Sequence, residues 1–426
     1  MPNVYIETYG CSANQAESEI MAGLLSRANF NIVENIEIAD VVLINSCFVK
    51  TQTEQKIIFR IKEIQKKYPE KKLIIGGCLP EGNYEKIVDV APKASLISTH
   101  HITKIVNVVK ETLEGKRVEY LGKSREIKLC LPRIRKNPIV DIVEIADGCE
   151  GNCSYCCVRF AKGIIFSFPL EKVVKEINLA IKEGCKEIWI TSQDNAAYGA
   201  EEGKRLLPEL LKKICEIPGN FYVRVGMMNP KNVLKILPDL IKAYKNKKIY
   251  KFLHLPLQSG DNEILKKMKR GYTREDFEKI VKNFEDNFRF QLWTDVIVGY
   301  PGETEKQFEK TIEVIKKVKP DWVNVSKFGK RPKTEAEKLK QLDSKIVKER
   351  SKRISAIVEK IAFEKNKEWI GWEGKALISE KGRKGKWIGR NFAYKPIVIE
   401  KGSLGKLVKV RIIDATPSYL IGKVLS

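Results

Sequence analysis

Cys149, Cys153 and Cys156 stand within eight residues of one another, in the run DGCEGNCSYC. Three soft thiolates this close, just after a predicted strand, can wrap one compact metal centre. A tetrahedral zinc site asks for a fourth ligand, and the one histidine downstream, His254, lies far along the chain inside another predicted strand. Three thiolates on a four-iron cluster leave one iron without a protein ligand, free to take a substrate. The spacing therefore points to an iron–sulfur cluster that does chemistry. Cys157 offers a competing frame with Cys153, but only the frame beginning at Cys149 supplies all three ligands, so Cys157 is expected to be a packed thiol.

A second set depends on the fold. Cys11 ends VYIETYGC, Cys47 ends VVLINSC and Cys78 ends LIIGGC. In an open parallel sheet the carboxyl ends of the strands make the edge where ligands bind. Any one of these cysteines alone reads as a small buried hydrophobe. All three at one topological position favour a second cluster held by Cys11, Cys47 and Cys78. Cys130, Cys185 and Cys215 show no such pattern and read as ordinary thiols.

The elements that must position these thiols follow from the alternation of apolar runs and amphipathic stretches. Over residues 1–113, strands are expected at Asn3–Tyr9, Val41–Asn45, Leu73–Ile75 and Ser95–Ser98, with helices at Gln15–Arg27, Thr51–Lys67 and Thr103–Leu113. That order predicts an open parallel α/β sheet with helices on both faces. Residues 114–138 lose the pattern and read as a linker. Over 139–369, six βα units are expected, with strands at Ile142–Ala146, Glu187–Thr191, Tyr222–Val225, Phe252–Leu257, Phe290–Val298 and Trp322–Phe328. They suit a partial (βα)6 version of the eight-unit barrel, followed by one long charged helix over Thr334–Lys367. Residues 370–426 turn to short strands (Lys375–Ser379, Lys395–Ile399, Lys406–Ile413, Leu420–Val424), the pattern of a small β-barrel of the nucleic-acid-binding kind. The chain is thus read as a multidomain α/β protein.

Composition sets the setting. The formal charge is +24 over 426 residues, and residues 370–426 hold 12 Lys or Arg against 4 Asp or Glu. A polyanionic partner accounts for this, as does a Lys-rich surface kept for solubility or heat tolerance. The opening MPNVYIETYG shows no signal-peptide pattern, no apolar run approaches a membrane span, and a cytoplasmic location is expected. Ten cysteines there suggest metal or redox chemistry rather than disulfides.

With both triads placed, the chain resembles the radical S-adenosylmethionine methylthiotransferases over nearly its whole length. The matching stretches are TYGCSANQAES, INSC, GGC, DGCEGNCSYC, TSQDNAAYG, RVGMMNP, FLHLPLQSGDNEILKKMKRGYT and TDVIVGYPGET. The form YGCSANQAES and the basic tail are most similar to the archaeal and eukaryotic branch, which acts on N6-threonylcarbamoyladenosine at position 37 of tRNA, next to the anticodon. The resemblance implies an N-terminal methylthiotransferase domain, a radical domain and a C-terminal TRAM barrel. It implies two 4Fe-4S clusters and two S-adenosylmethionines per turnover. One of these chelates the open iron and is cleaved to a radical that takes hydrogen from adenine C2, and the other methylates the inserted sulfur. It also implies a flavodoxin- or ferredoxin-like electron donor. Sister branches leave two other substrates open, N6-isopentenyladenosine in tRNA and a ribosomal protein aspartate. An RNA-binding module with non-catalytic clusters is the reading outside enzymes.

Residues at barrel strand ends are the cofactor candidates: Gln193, Asp194, Arg224, Asp295 and Gly299. Arg224 could pair with the methionine carboxylate and Asp194 with a ribose hydroxyl. Strand-end polar groups also cap helices, and Gly299 and Gly302 also suit a tight turn. His254 either lines the cavity or is a satisfied core histidine. Lys381, Arg383, Lys384, Lys386, Arg390 and Lys395 are the candidates for gripping the tRNA backbone. Trp387, Phe392 and Tyr394 either stack on bases or fill the small barrel. One departure stands out. The family usually has Arg-Gly and then Ser-Arg-Pro or Ser-Tyr-Pro after the triad, where this chain has Lys162 and Phe168. Lysine keeps the charge but not the planar fork.

Overall fold

In the computed structural model, which describes residues 1–425, six strands at the amino end form one parallel sheet. They are β1 (Asn3–Thr8), β2 (Asn31–Val33), β3 (Val41–Ser46), β4 (Lys72–Gly77), β5 (Ser95–Ser98) and β6 (Glu119–Tyr120), in the order β2-β1-β3-β4-β5-β6. Strand β3 is buried along its whole length, which is why VVLINS reads as a continuous apolar run rather than an alternating one. Val41 and Leu43 pack with helices Ser12–Arg27 and Ile105–Leu113, while Val42 and Ile44 pack with helices Thr51–Lys67 and Tyr84–Val90. Strands β2 and β6 escaped the sequence reading because three- and two-residue edge strands are too short to show a period. The second of them lies inside the expected linker. That segment is no loose tether: Lys128 is buried, and the Ile134 N–H donates to Glu19 O at 2.9 Å.

The middle of the chain builds an open arc of six parallel strands. Strands β7 (Val140–Glu144), β10 (Glu187–Thr191) and β11 (Tyr222–Val225) pair in the order β11-β10-β7, and β12 (Phe252–His254), β13 (Gln291–Val298) and β14 (Trp322–Lys327) pair in that order. A parallel bridge between Val223 and Ile249 joins the two halves. The ribbon of β8 (Ala146–Asp147) and β9 (Phe166–Ser167) closes the base of the cysteine loop, a local device that the sequence reading did not foresee. The expected helix over Thr334–Lys367 is broken. A single 3₁₀ turn spans Glu335–Lys338, and the long helix runs Ser344–Lys367, begun by Asp343, whose side chain accepts from the Lys345 N–H at 2.7 Å.

At the carboxyl end, β15 (Glu373–Lys381), β16 (Trp387–Arg390), β17 (Pro396–Ile399), β18 (Leu407–Ala415) and β19 (Leu420–Val424) close a barrel in the order β15-β16-β17-β19-β18. Trp387–Arg390 is a fifth strand beyond the four expected, hidden in the sequence by the basic loop that leads into it. Tyr394 docks this barrel on the arc by packing among Tyr250 and Phe252, with ring centroids 4.9 and 5.1 Å away. No helix among the described residues is long and apolar enough to cross a membrane.

Candidate active site

Strands β1, β3 and β4 are neighbours in the sheet, and Cys11, Cys47 and Cys78 follow their carboxyl ends. Gly10, at φ +127°, lets the first two turns approach, since a Cβ there would lie 2.9 Å from the Cys47 Cβ. Asn14, fully buried, ties this edge together. It accepts from the Cys11 Sγ at 3.3 Å and donates to Asn45 Oδ1 at 3.3 Å and Ser46 O at 3.2 Å. The carboxyl edge of the arc faces the same way. One cavity of about 450 Å³ is lined by Cys11 and Cys78 from the sheet and by Cys149, Cys153 and Cys156 from the loop after β8. Cys47 stands beside it, its Sγ accepting from the Val49 N–H at 3.5 Å, and Phe48, Val49 and Lys50 line the wall. Cys157 does not join either triad. It is 1% exposed and donates to Phe48 O at 3.2 Å, the packed thiol that was expected.

The donor chemistry fits clusters better than single ions. Among the described residues, the one group of three potential ligands lying within 4.8 Å of each other is Glu17, Glu144 and Asp147, and two lysine ammoniums already fill it. Neither cysteine triad is drawn that tightly, as a single tetrahedral ion with thiolates at about 2.3 Å would require. Burial raises the Cys78 thiol well above its ordinary range and pushes Cys149 up to about 11. Such thiols become ligands when a cation displaces the proton.

The arc supplies polar atoms that have no partner within the chain. Ser192 Oγ, Gln193 Oε1 and Arg224 Nε are buried and unbonded, and all three residues line the cavity. The Arg224 guanidinium is fixed by the faces of Phe252, Trp189 and Tyr394, 4.9, 5.3 and 5.5 Å from its carbon. Asp194 also lines the cavity but holds its own loop: it accepts from the Ala196 N–H at 3.1 Å, the Asn229 N–H at 2.9 Å and Asn232 Nδ2 at 2.8 Å. Asp295 Oδ2 lies 2.8 Å from His254 Nε2, and its Oδ1 accepts from Asn324 Nδ2 at 2.8 Å. Burial alone would raise the Asp295 carboxyl; the hydrogen bond and charge of His254 and the amide of Asn324 outweigh it and hold it below its usual range. His254 therefore lines the cavity rather than the core. Gly299 does not reach the cavity. At φ +80° it makes the turn after β13, where a Cβ would lie 2.5 Å from a Val347 methyl, so it serves the turn and the packing of the long helix.

One contributor was missed in the sequence, and a second was noticed without its partners. Arg270 is 7% exposed, with Nη1 3.1 Å from the Cys153 Sγ and Nε 3.3 Å from the Tyr272 hydroxyl. The signal was there, a lone arginine in the lysine run LKKMKRGY. Lys162, singled out in the sequence as a departure, is the second. Its ammonium meets Glu17 at 2.9 Å, Glu144 at 3.0 Å and Asp147 at 3.0 Å, with Lys128 beside it. A compact point charge suits three carboxylates arriving from different directions better than a planar fork does, which accounts for lysine at the family's arginine position. Phe168, the other departure, is 1% exposed and fills the arc's core.

The six basic candidates divide. Lys381, Arg383, Lys384 and Lys386 are exposed together on the hairpin between β15 and β16, and none has a carboxylate within ion-pair range among the described residues. Arg390 pairs with Glu380 at 2.7 Å and lies over Tyr394. Lys395 is 2% exposed and pairs with Asp321 of the arc at 2.6 Å, a strut between barrels that does not face solvent. Tyr394 likewise packs inside, whereas Phe392 remains 36% exposed beside Trp369 and Trp372.

Comparison with known proteins matches three stretches. Residues 3–99 match the Uncharacterized protein family UPF0004, 143–315 the Radical SAM superfamily and 367–425 the TRAM domain. The chain is 42% identical over 419 residues to a Methanothermobacter thermautotrophicus protein named "Probable threonylcarbamoyladenosine tRNA methylthiotransferase", covering 98% of each. It is 43% identical over 430 residues to a Pyrococcus horikoshii protein of the same name, covering 100% of each. It is 33% identical over 435 residues to the human "Threonylcarbamoyladenosine tRNA methylthiotransferase", covering 99% of this chain and 74% of that one. Among solved structures, a radical S-adenosylmethionine methyltransferase from Kitasatospora setae superposes with a TM-score of 0.58 at 14% identity, over 79% of this chain and 77% of that one, a likeness of fold.

Proposed function

The chain belongs to the threonylcarbamoyladenosine tRNA methylthiotransferases, within the radical S-adenosylmethionine superfamily, and on that premise we propose that it converts the adenine C2–H of N6-threonylcarbamoyladenosine at tRNA position 37 to C2–SCH₃. The observation that carries this reading is the one cavity lined by Cys11 and Cys78 on one side and by Cys149, Cys153 and Cys156 on the other, with Cys47 beside it.

Membership of the superfamily brings a 4Fe-4S cluster and S-adenosylmethionine; when bound, they supply hydrogen-atom abstraction from a C–H bond too inert for acid–base chemistry. Cys149, Cys153 and Cys156 would hold that cluster, with the Arg270 guanidinium balancing charge at Cys153. Arg224, Ser192 and Gln193, whose buried atoms lack partners, would receive the polar groups of S-adenosylmethionine, Arg224 through its carboxylate. Asp194 keeps the Gln193 loop in place. Cys11, Cys47 and Cys78 would hold the second cluster, where sulfur waits, and Asn14 keeps that edge rigid.

We assign residues 1–113 to sulfur handling, 114–138 to a docking linker, 139–369 to the radical domain and 370–426 to tRNA capture. Lys381, Arg383, Lys384 and Lys386 offer unpaired charge to the tRNA backbone. A cytoplasmic location and a flavodoxin- or ferredoxin-like electron donor complete the proposal. Nucleosides from tRNA of cells lacking this protein are expected to contain N6-threonylcarbamoyladenosine and none of its 2-methylthio form by mass spectrometry. Unchanged levels of the methylthio nucleoside, with no second such enzyme in the cell, would overturn the assignment.

A further inference from the structure

Four cations line the shared cavity, and three of them are engaged. Lys162 is held by three carboxylates, Arg270 by the Cys153 thiol and Tyr272, and Arg224 by three aromatic faces. The fourth, Lys50, is different. It is exposed at the rim, on the turn after Cys47, and no carboxylate lies within ion-pair range of it among the described residues. Its one polar contact is neutral, Asn324 Oδ1 at 3.3 Å.

That contact orients the ammonium without neutralising it. Asn324 is fixed in turn, its Nδ2 donating to Asp295 Oδ1 at 2.8 Å, while Asp295 Oδ2 lies 2.8 Å from His254 Nε2. A polar chain thus crosses three adjacent strands, β12, β13 and β14, and ends on an ammonium of the opposite domain. It points a positive charge into the mouth of a cavity meant for a modified adenine.

We propose that Lys50 is a specificity residue that pairs with the threonyl carboxylate carried on N6 of the substrate adenine. The proposal rests on the function proposed above and adds what recognises the substrate. The threonylcarbamoyl group ends in an acid, whereas an isopentenyl group carries no charge, so one ammonium at the rim separates the two. An ammonium at the exposed rim gains an ion pair with the charged substituent and nothing from the neutral one. The flexible lysine stem suits a carboxylate on a rotatable substituent, and Asn324 limits how far that stem wanders.

The test compares two substrates: tRNA bearing N6-threonylcarbamoyladenosine, and the same tRNA with the threonyl acid converted to its methyl ester. Lys50→Met is expected to raise KM for the acid by about fivefold, the upper end for an ion pair at an exposed rim, and to leave KM for the ester within about twofold. Lys50→Arg is expected to restore most of the difference, and Lys50→Gln replaces Lys50→Met if the latter misfolds by circular dichroism. An equal KM rise for acid and ester would overturn the proposal, because it would mark a contact to the tRNA phosphates. No change for the acid would overturn it as well. If the wild-type protein converts isopentenyladenosine tRNA and not the threonylcarbamoyl tRNA, the function proposed above falls and takes this inference with it.

Discussion

Replacing Cys11, Cys47 and Cys78 together by alanine is expected to reduce methylthiolation to background while S-adenosylmethionine is still cleaved. The two triads belong to separate parts of the fold, one on the carboxyl edge of the parallel sheet and one in the loop after β8. Neither needs the other for its own ligands, and thiols of both line one cavity. The sheet variant should therefore lose about half of its iron and yield 5′-deoxyadenosine without methylthio product. The converse variant, with Cys149, Cys153 and Cys156 replaced, should lose both activities. These variants also settle the sheet thiols' role. If they were only buried apolar groups, the alanines would cost stability through small cavities and leave iron content and methylthiolation in proportion to folded protein.

The second large effect concerns how the two halves are held face to face. Lys128, Lys162, Glu17, Glu144 and Asp147 meet between the sheet and the arc, and none of their side chains is more than 8% exposed. Two ammoniums face three carboxylates. Burial raises the Glu144 carboxyl against the pull of both lysines, while for Glu17 and Asp147 the lysines outweigh burial and lower them. Lys162→Met should therefore cost about 3–5 kcal/mol, because it strands carboxylates without a partner. It should show as a lower midpoint for the transition that separates the halves.

Glu144→Gln should cost less than Lys162→Met, since it leaves both lysines facing the carboxylates of Glu17 and Asp147. The pH dependence has a defined sign. A group whose folded pKa is raised binds its proton more tightly in the folded state, so stability falls as pH rises through that pKa. Glu144→Gln should remove that decline. The contributions of Glu17 and Asp147 run the other way, present at neutral pH and lost as pH falls through their lowered pKa values. A steady midpoint in Lys162→Met, or a loss in Glu144→Gln as large as that in Lys162→Met, would contradict this account of the interface.

Much of this was legible in the sequence because it is written in local patterns. The buried strands read as apolar runs, and the cysteine loop reads by its spacing alone. Even the sheet triad could be placed, since three cysteines following three strands share an edge in any parallel sheet. What could not be read was pairing across long separations. Arg390 and Lys395 sit in a basic stretch that looks like RNA-binding surface, yet Lys395 finds Asp321 across the barrel junction. Asp194 and Gly299 occupy strand ends as a cofactor group would, but their partners, Asn232 and Val347, lie at separations no local pattern reveals. Lys162 reads as an impaired arginine until three carboxylates from distant positions are seen around it.

The central claim is that one cavity performs sulfur insertion on a tRNA adenine. The most direct measurement supplies reduced protein, reconstituted with iron and sulfide, with S-adenosylmethionine and tRNA bearing N6-threonylcarbamoyladenosine, and analyses the digested nucleosides by mass spectrometry. The account predicts the 2-methylthio nucleoside, with 5′-deoxyadenosine formed alongside it. Formation of 5′-deoxyadenosine with the tRNA nucleoside left unaltered, in protein carrying iron at both triads, would contradict it.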